Sequence, residues 1–346
     1  MNILNICDSN EFDITAYQAM YTAAYFKKIG HNAVVMCPAK SRLYSECLKQ
    51  RLEVAPLTFA SRLGFFEGLG YDIIHFYNPD SLTVLLLKKA VASSKIFITQ
   101  LKLGNPEVFK KLAGFEPYID KFVAASNSAK EDFLRAGVDQ RKVFMVPPAI
   151  NLGRWESAML IRPAMFLKRP YKVGTISMDK TLKEQEFFLK VAIEVLAKLP
   201  DTNFLIVGIK DERIRDMARS LGVSHKVDIL WERNDIPELM AMLHIFVKTS
   251  RRDGLSMSLI EAQASGVACV LPRLRGLSDF SVHERNSLLV EPRSIESYSE
   301  AIQTLILNPP ECHNMSKMAF DYVVNNMSLP VVGNLLLRLY EEALEV

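Results

Sequence analysis

Short apolar runs alternate with helical segments along this chain; the alternation breaks once, at Pro147-Pro148, and then restarts. No other feature constrains the fold as strongly. The runs Asn2–Cys7, Ala33–Cys37, Asp72–Phe76, Lys95–Thr99, Lys121–Ala125 and Lys142–Val146 are near-continuous in apolar character. That is the pattern of strands covered on both faces. Between them, Ile14–Ile29 carries Tyr17, Met20, Tyr21, Ala24 and Tyr25 at helical spacing and stops at Gly30; further helices are expected at Ser81–Val91 and Ser128–Ala136. Ser128-Ala-Lys-Glu131 reads as a capping box, and Gly137 as the stop of that helix. Parallel neighbours need a crossover helix, so this alternation predicts a parallel, doubly wound α/β sheet.

After the break the pattern runs again. Strand Tyr171–Ile176, helix Lys183–Lys198, strand Asn203–Val207, helix Asp211–Leu221, strand Lys226–Trp231, helix Ile236–Met242 and strand Ile245–Lys248 follow in turn. Three helical segments, Ile295–Leu307, Glu311–Asn325 and Val331–Leu344, close the chain. A length of 346 residues suits two domains. The expected division is residues 1–150, a linker at 151–170, a second domain at 171–327 and a final helical segment at 328–346.

The bulk numbers exclude several classes. Hydrophobic content of 49% with 23% charged residues fits well-filled cores, and Leu82–Val91 is interrupted by Lys88-Lys89, too short to span a bilayer. The opening Met-Asn-Ile-Leu-Asn-Ile-Cys-Asp8 has no basic region, and five cysteines show no paired spacing, so a cytoplasmic protein with reduced thiols is expected. The six histidines have no ligand spacing, there is no D-x-D, and neither G-x-G-x-x-G nor a P-loop is present. No metal and no cofactor is expected. Residues 1–155 hold 19 Lys/Arg against 14 Asp/Glu, while the remainder holds 23 against 25. The basic excess reads as an ordinary solvated face or as a peripheral contact with an anionic membrane; no motif for nucleic acid accompanies it.

The most informative chemistry lies in Asp253-Gly254-Leu-Ser256-Met-Ser-Leu-Ile-Glu261, followed by Gly266 and the strand Val267–Leu271. It reads as a turn, a short helix and a stop, with two carboxylates eight residues apart. Helix N-termini attract phosphate through unpaired N–H groups, and a nearby carboxylate is left to accept hydrogen bonds from hydroxyls. A nucleotide-sugar fits this pairing better than a free anion does.

This segment resembles the Glu-x7-Glu signature of retaining GT-B glycosyltransferases of the large family 4 type, with Asp253 in place of the first Glu. Phe246-Val-Lys-Thr-Ser250 before it, and Asn286-Ser-Leu-Leu-Val290-Glu-Pro292 after it, are similar to the family's flanking segments. Pro147–Trp155 is similar to its interdomain segment, and the likeness runs from about Asp120 to the C-terminus. The resemblance implies two Rossmann-like domains facing a central cleft, with the acceptor on the first domain and the nucleotide-sugar on the second. It also implies that the last helix returns to the first domain.

By the same resemblance, Glu261 accepts hydrogen bonds from the ribose, Asp253 touches the transferred sugar, and Gly254, Leu255 and Ser256 offer backbone N–H groups to the donor. Lys183 neutralises the β-phosphate; where the family has an arginine this chain has Met178, with Lys180 nearby as a substitute. His75, in Asp72-Ile-Ile-His75-Phe-Tyr-Asn78-Pro79, matches a strand-end histidine at the cleft and is a candidate catalytic residue. Tyr77 and Leu101 replace two further histidines of the family, and the glycine-rich loop after the first strand is absent. The activity implied is metal-independent, retaining transfer from a UDP- or GDP-sugar to a glycan or lipid-linked acceptor in surface polysaccharide or glycolipid biosynthesis. The alternative is a catalytically inactive paralogue acting as a nucleotide-sugar-binding or scaffolding subunit.

Overall fold

A computed structural model of the chain describes residues 1–57, 70–79, 94–101, 105–155, 168–177, 180–208, 210–231, 233, 235–251 and 254–345. The expected helix Ser81–Val91, most of the expected linker, Met178 and Asp253 lie outside the described residues. The strands are β1 (Asn2–Ile6), β2 (Asn32–Cys37), β3 (Glu53–Pro56), β4 (Ile73–Tyr77), β5 (Lys95–Gln100), β6 (Lys121–Ala124) and β7 (Val143–Met145), then β8 (Tyr171–Ser177), β9 (Thr202–Gly208), β10 (Val227–Trp231), β11 (Ile245–Val247), β12 (Ala268–Pro272) and β13 (Leu288–Val290). The helices are α1 (Ile14–Lys28), α2 (Arg42–Lys49), α3 (Pro106–Ala113), α4 (Asn127–Arg135), α5 (Lys183–Lys198) and α6 (Arg213–Ser220), then α7 (Ile236–Ala241), α8 (Met257–Ala264), α9 (Ile295–Leu307), α10 (Pro309–Met327) and α11 (Leu329–Leu344).

Contacts divide the chain into two compact units, Met1–Asn151 with Asn326–Val346, and Leu152–Asn325. The first unit holds a seven-stranded sheet in the order β3-β2-β1-β4-β5-β6-β7, with every pairing parallel. Side chains alternate between its faces with period 2. Ile3, Val35, Ile73 and Phe97 point to the face covered by Ala19, Met20 and Phe26 of α1 and Leu336 and Tyr340 of α11. Leu4, Val34, Ile74 and Ile98 point to the other face, which Phe109 of α3 and Phe133 of α4 cover. The returning chain is stitched to this unit: the Ile150 N–H donates to the Met327 carbonyl at 2.8 Å, and the Leu329 N–H donates to the Ile150 carbonyl at 3.0 Å.

The second unit holds a six-stranded parallel sheet in the order β10-β9-β8-β11-β12-β13. Its core gathers Val173, Phe188, Leu189, Phe204, Ile206, Val247 and Val270 with Tyr298 and Ile302 of α9. The order reverses beside β8, because β9 and β10 extend to one side and β11 to β13 to the other. Ligands in open α/β sheets bind outside the carboxyl ends of the strands at such a reversal.

Local details differ from the sequence reading in instructive ways. Ser126, not Ser128, caps α4: its backbone is extended and its hydroxyl accepts the Ala129 N–H at 3.1 Å, which places Ser128 inside the first turn. The edge strand β3 and helix α2 are too short and hold too few apolar residues to announce themselves; β3 is only partly covered, and α2 buries just Leu43 and Cys47. All five cysteines are buried free thiols. No described helix is long and apolar enough to cross a membrane.

Candidate functional site

At the carboxyl edge of the second sheet, β8 ends at Ser177 and β11 ends just before Lys248, side by side at the order reversal. The Ser177 hydroxyl donates to Glu184 Oε2 at 2.7 Å, and Lys248 Nζ lies 3.9 Å from the same oxygen. Lys248 Nζ also donates to the Ile176 carbonyl at 3.4 Å, and the Thr249 hydroxyl to the Glu184 carbonyl at 3.2 Å. Tyr298 fixes the strand end from below by donating its hydroxyl to the Lys248 carbonyl at 2.9 Å. Gly208, the last residue of β9, closes the packing here: a Cβ at that position would meet the Ser177 carbonyl oxygen at 2.8 Å.

The helix that follows β8 starts under strain. Leu182, the residue before α5, has φ +61°, a left-handed conformation that costs a non-glycine residue about 1–2 kcal/mol. Its side chain is fully buried, so packing holds it there. Lys183 opens the helix and is exposed, as is Lys180.

Beyond β11 comes the turn into α8. The Gly254 N–H donates to the Arg275 carbonyl at 3.1 Å, which corrects the expectation that this group faces a ligand. Space above the Gly254 Cα is open, with nothing within 4 Å of where a Cβ would sit. Leu255 is half-buried. Ser256 is the N-cap of α8, its backbone extended at φ −122° and its hydroxyl accepting the Leu259 N–H at 3.3 Å. Serine sits here without strain, because the position is an N-cap and not a left-handed turn.

Glu261 lies within α8, one turn before its end. The residue is half-buried, and protein atoms crowd its carboxyl. That desolvation pushes its pKa from the ordinary 4.5 up to about 7, while the Arg154 guanidinium pulls the other way. The carboxyl accepts no hydrogen bond from the described residues. It is a partly exposed carboxyl in the field of an arginine, an acceptor that hydroxyl donors from a ligand can reach. Sequence reasoning missed Arg154, Glu184 and Lys248. Arg154 stood in a segment read as linker, and the other two are drawn together only when β8 and β11 pair.

His75 requires a correction. It was expected at a strand end facing substrate, but β4 continues to Tyr77 and leaves His75 in mid-strand with no exposed surface. Its Nδ1 is 2.5 Å from the Tyr340 hydroxyl of α11 and its Nε2 is 2.6 Å from the Thr99 hydroxyl. Burial lowers its pKa to about 3, so the ring is neutral. Tyr77 stacks on it and shares hydrogen bonds with Thr22 at 2.7 Å and Asn5 at 3.3 Å. Leu101 is buried, and its N–H donates to Asn78 Oδ1 at 2.7 Å. Asp253 and Met178 lie outside the described residues. Among the described residues, no group of three or more His, Cys, Asp or Glu is arranged to hold a metal ion.

The family of glycosyl transferases group 1 matches residues 166–321. The chain is 30% identical over 276 residues to an N-acetyl-alpha-D-glucosaminyl L-malate synthase of Bacillus anthracis, covering 74% of this chain and 70% of that one. It is 27% identical over 307 residues to an N,N'-diacetylbacillosaminyl-diphospho-undecaprenol alpha-1,3-N-acetylgalactosaminyltransferase of Campylobacter jejuni, covering 86% and 74%. Against several other relatives it spans about half their length. A crystal structure of Anabaena HepE in complex with UDP and glucose superposes with a TM-score of 0.79 at 15% identity, covering 99% of each chain. That likeness is one of fold, the two-unit α/β architecture of GT-B proteins.

Proposed function

The chain belongs to the family of glycosyl transferases group 1, and from that premise we propose that it moves a sugar from a UDP- or GDP-sugar to a hydroxyl of a glycan or lipid-linked acceptor, with retention of configuration and without a metal. The setting proposed is surface polysaccharide or glycolipid biosynthesis, in the manner of relatives named for undecaprenol-linked substrates. The observation that carries the reading is the Glu261 carboxyl, crowded by protein and unsupplied with donors from the described residues, on the helix that follows the signature turn.

In this reading Glu261 accepts hydrogen bonds from the ribose hydroxyls, and Asp253 does so from the transferred sugar. The nucleoside diphosphate settles against the turn at Leu255 and Ser256, with Lys183 and Lys180 stabilising the negative charge that develops as the glycosidic bond to phosphate breaks. The acceptor hydroxyl attacks from the same face as the departing phosphate, whose oxygen takes the acceptor proton. The protein then supplies orientation and charge stabilisation more than a strong base. No proton transfer is assigned to His75, whose ring is enclosed and neutral.

The test is nucleotide binding by calorimetry or thermal shift with UDP, GDP and their sugars. A ligand at a hundred times its dissociation constant adds about 2.7 kcal/mol of stability. Glu261→Ala should remove most of that shift, and an unchanged shift would end the ribose assignment. Turnover that persists in EDTA checks the absence of a metal. A second reading, a nucleotide-sugar-binding subunit without turnover, is favoured by the enclosed His75 and the buried apolar Leu101. Donor binding with no transfer to any acceptor would select it.

A further inference from the structure

The reversal in strand order of the second sheet brings a lysine, Lys248, to its carboxyl edge. We infer that Lys248 engages the terminal phosphate of the donor's nucleoside diphosphate, at a seat that Ser177 and Glu184 border. The inference rests on the nucleotide-sugar reading of this site.

Three observations converge on Lys248. It immediately follows β11, next to the end of β8 and at the reversal in strand order, where an open α/β sheet receives its ligand. It also precedes, in sequence, the turn at Gly254 and Leu255 into α8, against which the proposed donor settles. Finally, its environment sharpens its charge. The Lys248 side chain is only 13% exposed, whereas Lys180 and Lys183 are exposed. A cation in a less polar setting attracts an anion more strongly than one in bulk water.

The pair it makes with Glu184 stands at 3.9 Å and is more enclosed than the helix-surface pairs of this chain, with side chains 13% and 16% exposed. The Ser177 hydroxyl holds the shared Glu184 oxygen at 2.7 Å, and the Ile176 carbonyl takes a bond from Lys248 at 3.4 Å. Partly buried ion pairs contribute little to stability against an apolar alternative, so stability alone gives no reason for a lysine at a strand end otherwise built of Ile245, Phe246 and Val247. A diphosphate arriving at the edge supplies one.

The experiment is calorimetry with UDP, UMP, GDP and GMP on the full chain and on Lys248→Met, Lys248→Arg and Glu184→Gln. Lys248→Met should weaken the bound diphosphate by about 10–100-fold, the size of a lost charge-assisted hydrogen bond, and change the matching monophosphate by less than about threefold. Lys248→Arg should recover most of the loss, which separates lost charge from lost folding. Glu184→Gln removes the neighbouring negative charge and should leave diphosphate affinity at or above that of the wild type. Equal losses for diphosphate and monophosphate, no loss in Lys248→Met, or a Glu184→Gln loss matching that of Lys248→Met would each overturn the assignment while leaving the donor reading intact. Wild-type protein that binds neither UDP nor GDP would overturn the donor reading and this one together.

Discussion

The two sheets treat their polar groups in opposite ways. In the first unit, His75, Tyr340, Thr99, Tyr77, Thr22 and Asn5 form a buried network in which the groups satisfy one another. In the second unit, Glu261 is crowded and receives no hydrogen bond from the described residues, and Leu182 is held in a left-handed conformation. A closed network fixes packing, since each member is penalised for losing its partner. An acceptor left without donors is a cost to the unliganded protein that a ligand can relieve. The difference marks the first network as architecture and the second site as the place for binding.

The largest effect should come from breaking the closed network. Tyr340→Ala removes a buried ring from the contact between α11 and the first sheet and should cost about 3–5 kcal/mol, read as a fall in denaturant midpoint. Tyr340→Phe leaves His75 Nδ1 without its partner and should cost about 1–3 kcal/mol. Neither substitution should alter nucleotide affinity in protein that remains folded. Altered affinity would show that the first network takes part in binding.

Acidity separates the two sites next. His75 has a folded pKa near 3, below its ordinary 6.5, so its contribution is complete above pH 6.5 and is lost as pH falls toward 3. Glu261 runs the other way. Its folded pKa near 7 exceeds its ordinary 4.5, so the unliganded protein loses stability as pH rises from 4.5 to 7. Replacement by glutamine should remove that loss. Ribose hydroxyls bind the ionised carboxylate, so the Glu261-dependent part of nucleotide affinity should fall by up to about tenfold per unit below pH 7. Calorimetry across pH on wild type and Glu261→Gln isolates it from titration of the nucleotide; matching profiles would count against the contact.

The smallest effect concerns the entry to α8. Ser256→Ala should cost about 1 kcal/mol as a lost N-cap, and Ser256→Gly only a few tenths, measured by chemical unfolding. A larger penalty for glycine than for alanine would contradict the capping geometry.

Legibility followed locality. The central strands of both sheets stand out because each apolar run is complete within a few residues, and the short helix carrying Glu261 is marked by its flanking turn and Gly266. The cap lies at Ser126, two residues before the sequence places it, because Ser128 has Glu131 three residues on and Ser126 has only Ala129, while the backbone conformation makes Ser126 the cap. His75 was misjudged for a different reason. A histidine near the end of an apolar run looks the same in sequence whether a ligand or another helix covers it, and here Tyr340, from the far end of the chain, is the cover.

By itself, the sequence determined that this chain builds two parallel sheets and where the acidic helix of the second one lies, since periodicity and punctuation act between near neighbours. Tertiary structure alone decided that Lys248 meets Glu184, that Arg154 acts on Glu261 and that His75 is sealed by α11. Desolvation and charge pairing depend on which distant segments become adjacent once strands pair and helices dock, and no local spacing encodes that adjacency.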